Sequence, residues 1–371
     1  MDPKVSPPST EPWSYRRRVL IPTATALGLF LLVVFLWYAS YVLLLVFAGV
    51  LLAVLLRAAA DLVNSATGLP DKWSVLVVLV LGVVVLGAVG WFAAPPIGRQ
   101  LDQLTQQIPR SVEAIRGRLE EYRWGQLLLR ELPSLEDLQP AGPEVISRAT
   151  GFVSRTTGAL FSFFVVAFIG VYLALDPVLY ASGILRLVPP RYRGRARDVL
   201  AALGYTLRWW LIGQLITMTI VGILTTLGLW LLGVPLAPVL GLLAFLLDFV
   251  PNIGPVVAAV PAILLAFTDD PMKALYVTML YIGVQQVEGL LIAPLIHQRT
   301  VHLPPVLTVV AQIFLGILVG PLGLLLATPL VACALVLVKM LYVEQALGDH
   351  VDTPADHLKP QDKPPMPKRE K

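Results

Sequence analysis

Long apolar runs, interrupted at a few points by charge, proline or glycine, organise this chain. Residues 19–56 contain 38 consecutive positions without a charge, and further charge-free runs cover Ser74–Gly98, Thr156–Leu175, Trp209–Leu247, Ala274–Val287 and Leu303–Val338. A helix rising ~1.5 Å per residue needs about 20 apolar residues to cross a ~30 Å hydrocarbon core. The first run is long enough for two such helices joined by a turn near Trp37–Tyr41, where aromatics suit the membrane interface. Trp209–Gly233 fits one span. The pattern predicts an all-α polytopic membrane protein with about six full transmembrane helices.

Two further segments, 235–268 and 303–341, are too long for one untilted span and carry helix breakers near their middles. The first contains Pro251, Asn252, Gly254 and Pro255, and the second contains Gly320 and Pro321. Each either doubles back as a re-entrant hairpin or crosses as a broken helix. The two also resemble each other: PLAPVL (235–240) is like LPPVL (303–307), and AAVP (258–261) is like LATP (326–329). Paired interrupted segments of this kind point to a transporter binding site.

A polar insertion at 97–150 separates the early runs from the later ones. It opens with Ile97, Leu101, Leu104, Ile108, Val112, Ile115, Leu119 and Tyr122, the spacing of a helix with one apolar stripe. That stripe either packs on 126–148 or on the membrane surface, or pairs with the same helix of another subunit and makes a homo-oligomer. The expected order is a cytoplasmic tail (1–18), three transmembrane helices (19–96), the extramembrane helical insertion (97–150), a core (151–345) and a disordered cytoplasmic tail (346–371).

Composition agrees with the lipid bilayer as solvent: 57% of residues are hydrophobic, 14% are charged and mean hydropathy is +0.76. The net charge of +4 does not imply nucleic acid, because the basic residues gather at span ends. Six arginines (186, 191, 193, 195, 197 and 208) face Asp198 alone between 181 and 208, whereas 97–150 holds seven Arg against eight Asp or Glu. The positive-inside rule therefore puts the Arg-rich loop in the cytoplasm and the insertion outside. The rule also favours the re-entrant reading, with Asp269 and Asp270 outside and His297, Arg299 and His302 inside.

No enzyme motif, phosphate-binding loop or Cys/His cluster is present, and Cys333 is the only cysteine, so no cofactor, metal site or internal disulfide is expected. The four histidines (297, 302, 350 and 357) read as solvated loop or tail. Intramembrane carboxylates stand out more, since an Asp at a helix centre costs about 2.5–3.5 kcal/mol on insertion scales. Asp248 precedes the break at Pro251, and either binds a coupling ion or proton or accepts hydrogen bonds from freed backbone N–H groups. Glu288 follows Gln285 by one helical turn, so both share a face, and Glu288 either serves a substrate or coupling proton or makes an interhelical hydrogen bond. Gln312 joins the candidates as a polar group in an apolar run, and Gln214 is a further interhelical amide.

The chain resembles the autoinducer-2 exporter family of bacterial permeases over roughly residues 150–345. The resemblance rests on LVPPRYRGRA (187–196), WWLIGQL (209–215), LLGVPLAPVLGLLAFLLDFVPNIGP (231–255), VEGLLIAPLI (287–296) and GPLGLLLATPL (320–330). One departure is Leu290, where many members of that family carry Asn. The resemblance implies a secondary transporter of the bacterial inner membrane. Its cargo would be a small polar solute like autoinducer-2, or a monovalent cation exchanged for protons. The contrasting expectation is a non-transporting scaffold that recruits partners through 97–150 and the Arg-rich loop.

Overall fold

In a computed structural model of the chain, the described residues are 12–85, 87, 88, 91, 99, 100, 102, 103, 142–292 and 303–348. All of their regular structure is helical. Helix α1 (Pro12–Thr67) is continuous over 56 residues, so the turn expected near Trp37–Tyr41 does not form. The reason is local: Trp37-Tyr38-Ala39-Ser40-Tyr41 contains no proline or glycine, and extending a helix is easier than ending one. The helix ends at Gly68, whose φ of 70° suits a left-handed cap and whose N–H donates to the Asn64 carbonyl at 2.7 Å.

Helix α2 (71–85) turns back, and α3 (Gly142–Leu175) passes through Thr150, where the sequence placed the end of the insertion, without a break. Helices α1 and α3 pack closely through glycines. A Cβ on Gly49 would lie 2.5 Å from Ile169, and one on Gly170 would lie 2.8 Å from Leu52. Small residues let helix backbones approach where lipid gives no hydrophobic drive for association.

At Asp176-Pro177 the chain bends by 90° into α4 (Pro177–Leu187). A single 3-10 turn, Pro190–Tyr192, leads to α5 (Arg193–Leu231), 39 residues long. The segment 181–208, read from sequence as an Arg-rich loop, is therefore mostly helix. Arg, Ala and Leu favour helix, and only Pro189-Pro190 interrupts it.

The remaining helices are α6 (Ala237–Leu247), α7 (Ile253–Asp269), α8 (Pro271–Val287), α9 (Pro305–Val319) and α10 (Pro321–Leu337). Helix α8 continues as a π turn over Glu288–Ile292, and α10 as a π-helical stretch over Val338–Leu347. Arg195 fastens that last stretch to α5, bonding the Met340 carbonyl and the Glu344 carboxylate, each at 2.5 Å.

Both interrupted segments fold back on themselves. Lys273 Nζ at the start of α8 lies 3.4 Å from the Gly233 carbonyl ahead of α6, so α6 and α7 leave and return at one end. Gln312 and Thr328 are 16 residues apart in sequence, yet their side chains meet at 3.2 Å. In an unbroken helix they would stand ~24 Å apart. Gly320, with φ 80° and ψ −151°, makes the reversal between α9 and α10.

Among the described residues three helices are long and apolar enough to cross a membrane: Ala39–Thr67, Pro190–Leu231 and Pro321–Gln345. The bent pair α3–α4 makes a fourth if counted as one span. Among the described residues the regular structure is all helix, with several membrane-crossing candidates. The second arm of the second hairpin, 25 residues to Gln345, is long enough to cross alone. Regular helix also reaches to Pro12 and to Leu347, inside both expected tails. The stripe of 97–122, His297, Arg299, His302, His350 and His357 lie outside the described residues, apart from Arg99, Gln100, Asp102 and Gln103.

Each hairpin depends on a glycine at its tightest approach. A Cβ on Gly254 would sit 1.9 Å from the Leu247 carbonyl oxygen, and one on Gly323 would sit 2.1 Å from that of Leu315. We expect Gly254→Ala and Gly323→Ala each to destabilise the protein by about 1–3 kcal/mol, the usual range for overpacking. Gly283→Ala on α8 meets nothing within 4 Å and should leave stability unchanged or slightly higher. Thermal unfolding of the detergent-solubilised protein checks all three.

Candidate functional site

The helix ladder stops between Leu247 and Ile253, and the freed backbone groups are taken up by side chains from distant helices. Gln214 Nε2 on α5 donates to the Asp248 carbonyl at 2.7 Å. Gln312 Nε2 on α9 donates to the Pro251 carbonyl at 3.1 Å and to Thr328 Oγ1 at 3.2 Å. Trp210 meets Phe249 edge-on, with centroids 5.9 Å apart, and so pins the tip of the α6–α7 hairpin to α5. Asn252 closes the tip with φ 68°, a positive value that Asn tolerates better than most residues.

A cavity of about 350 Å³ opens beside this tip. Its polar lining comes from Gln214 and Thr217 of α5, Asn252 of the break, Gln285 and Glu288 of α8 and its π turn, and Thr308 and Thr328 of the second hairpin. The volume falls within the range of small-molecule sites, which are mostly apolar with a few placed polar groups. Glu288 is half-buried and accepts a hydrogen bond from Gln285 Nε2 at 2.7 Å, as their shared helix face predicts. The π turn begins at Glu288; such turns are frequent at functional sites.

Asp248 is fully buried, 0% exposed, and neither carboxylate oxygen has a protein hydrogen-bond partner. Gln312 is equally buried, with its amide oxygen unpartnered. Asp248 also interacts electrostatically with Glu288. Buried polar groups are rarely left unpaired in folded proteins, so such acceptors usually indicate strain or function.

The structure thus brings Pro251, Asn252, Gln285 and Glu288 to one cavity wall, with Asp248 and Gln312 immediately behind the tip. Gly254 and Pro255 are buried at the start of α7, where they shape the turn without lining the cavity. Gly320 and Pro321 do not line it. Their neighbours Val319 and Leu322 pack in a cluster with Leu44, Leu51 and Leu207. Sequence reasoning gave Gln214 little weight and passed over Trp210, Thr217, Thr308 and Thr328. Thr217 and Thr308 bond carbonyls of their own helices, at 3.1 and 3.3 Å, and a threonine in an apolar run carries no mark of whether a cavity lies beside it.

Long apolar helices, a doubled-back pair of broken segments and a polar cavity at one break define the class, a polytopic α-helical membrane protein of transporter architecture. The chain belongs to the AI-2E transporter family, whose profile matches residues 26–342. It is 30% identical over 364 residues to MT0215 of Mycobacterium tuberculosis, named as a candidate transport protein, covering 94% of this chain and 95% of that one. It is 29% identical to YrrI of Bacillus subtilis, also named as a candidate transport protein, over 76% of this chain and 81% of that one. A shorter match, 35% identical over 142 residues, joins it to the AI-2 transport protein TqsA of Escherichia coli and covers 37% of this chain and 40% of that one.

The two glutamine clamps can be tested directly. Replacing Gln312 with Leu leaves the Pro251 carbonyl with the Ile253 N–H, at 2.9 Å, as its remaining donor, and the loss of one such hydrogen bond costs about 0.5–1.5 kcal/mol. We expect Gln312→Leu to lower the unfolding midpoint measured in detergent, and Gln214→Leu to do so to a similar degree through the Asp248 carbonyl.

Proposed function

We propose that this protein is a secondary transporter that moves a small polar solute, of the autoinducer-2 kind, or exchanges a monovalent cation for protons. Glu288 and Asp248 carry the coupling proton or ion. The observation that carries this reading is the fully buried Asp248, with two unpartnered carboxylate oxygens behind a polar cavity at a helix break. A carboxylate in such a place is costly and is retained where it binds something. Glu288 faces the cavity and meets the cargo or its proton first, while Asn252, Gln285 and Thr328 supply hydrogen-bonding groups for orientation.

Transport then runs by alternating access at the break. A group that takes up a proton facing one side and releases it facing the other links the gradient to cargo movement. The site lies where interrupted helices meet, the arrangement by which membrane proteins tolerate irregular backbone beside a water-filled cavity. The name of TqsA supports autoinducer-2 as a cargo to test first. The reading places the protein in a bacterial inner membrane with the Arg-rich segment 181–208 on the cytoplasmic side.

We expect Glu288→Gln to leave expression and assembly intact and to abolish proton-coupled flux in reconstituted vesicles. Asp248→Asn should reduce it by at least tenfold, equivalent to about 1.4 kcal/mol in the barrier. Flux of autoinducer-2, sodium and lithium across inside-out vesicles, each with and without an imposed pH gradient, identifies the cargo. Normal pH-dependent flux in Glu288→Gln would remove Glu288 from the coupling role.

A further inference from the structure

Helix α4 leaves the end of α3 at 90°, and none of its 11 residues is buried. It is apolar nonetheless. Tyr180, Ile184 and Leu187 recur at i, i+4 and i+7, so they share one face, and they are 39%, 52% and 86% exposed. Leu179 widens that face, while the half-buried Ala181 and Leu185 lie on the side that packs against the protein. A short helix perpendicular to the helix before it, with an apolar face that nothing among the described residues covers, has the geometry of a helix lying in the membrane surface.

The charges around α4 say which surface it meets. Arg186 lies in its last turn, Arg191 in the 3-10 turn that follows, and Arg193 and Arg197 in the first turns of α5. All four are exposed, and among the described residues none is paired with a carboxylate. By contrast, Arg195 and Arg208 are held by Glu344 and Asp61. Arg193 donates to the Val188 carbonyl at 3.1 Å and to that of Arg186 at 3.4 Å, and the Arg191 guanidinium lies 4.5 Å from the Tyr192 ring centre. These contacts hold the cluster in place without neutralising it. Asp176, where α4 begins, pairs with Lys72, and Arg57 pairs with Asp71, so α4 departs at the charged end of the helix bundle.

We propose that α4 and the arginines at its C-terminal end form a binding surface for anionic phospholipid. The apolar face enters the boundary of the acyl chains, and the guanidinium groups take the phosphates of the headgroups. This depends on the membrane class of the protein and not on its cargo.

The first test measures thermal unfolding of the full chain in a neutral detergent with added phosphatidylglycerol or phosphatidylcholine. Phosphatidylglycerol should raise the midpoint and phosphatidylcholine should not. The variant combining Arg186→Gln, Arg191→Gln and Arg197→Gln should keep the unliganded midpoint and lose most of the rise. An equal response to both lipids, an undiminished response in the variant, or the same rise from inorganic phosphate alone would overturn the proposal. The second test does not depend on that variant folding. With Leu187→Cys in a Cys333→Ala background, a spin label on residue 187 in phosphatidylglycerol-containing vesicles should be accessible to oxygen dissolved in the lipid. Ready reaction of that cysteine with a membrane-impermeant maleimide, or efficient cross-linking to a second copy, would show another occupant and overturn it.

Discussion

Inside a membrane every backbone N–H and C=O must find a partner within the protein, because hydrocarbon offers none. The break at 248–252 is where that constraint bears hardest. Its carbonyls at Asp248 and Pro251 are held by Gln214 and Gln312, which come from helices before and after the first hairpin. The tip is thereby tied to α5 on one side and to the second hairpin on the other. Satisfying two carbonyls fixes the relation of three chain segments, and the cavity is the space that remains between them.

The rest of the packing follows from how closely backbones can approach without bulky side chains. The cluster around the first hairpin contains Ala237, Ala244, Ala258, Ala262, Ala266 and Ala274, with Leu229, Leu240 and Leu265 filling between them. Gly241 comes so close to Thr226 on α5 that a Cβ would lie 1.7 Å from its hydroxyl oxygen. With lipid tails as apolar as leucine, dispersion contacts between close backbones replace the hydrophobic effect as the source of association. Tyr281 adds a bond from its hydroxyl to the Ala258 carbonyl at 3.2 Å, one residue beyond Val257, whose carbonyl loses its helical donor to Pro261.

What could be read from the chain was governed by chemistry that is local in sequence. Run lengths gave the helical membrane class, and Pro251, Asn252 and Gly320 marked interruptions because proline, glycine and asparagine act on their own backbone. Gln285 and Glu288 were paired correctly because three residues on a helix define a face. The continuity of α1 was missed because aromatic residues at the interface and a turn look alike in an apolar run, and only a breaker distinguishes them. The role of Gln214 was underweighted for a different reason. Its partner is 34 residues away, and nothing local marks an amide that bonds a distant carbonyl.

The backbone of the break is well provided for, while the side chain of Asp248 is not, and that contrast bears on how the site works. If Asp248 served only to cap freed N–H groups, its oxygens would be accepting hydrogen bonds, yet neither does. The nearby Gln312 also presents an unpartnered acceptor, so the missing complement consists of donors or positive charge, and an anionic ligand would make the deficit worse. Glu288 can exchange with the cavity directly because it lines it, whereas Asp248 is sealed behind the tip. Under the proposed function, loading Asp248 therefore requires the hairpin tip to move, and the tip is held by Gln214, Gln312 and Trp210. On that proposal the same contacts that satisfy the broken backbone also set the energy of access to the buried carboxylate, and a structural requirement of the membrane would serve as the gate of the transport cycle.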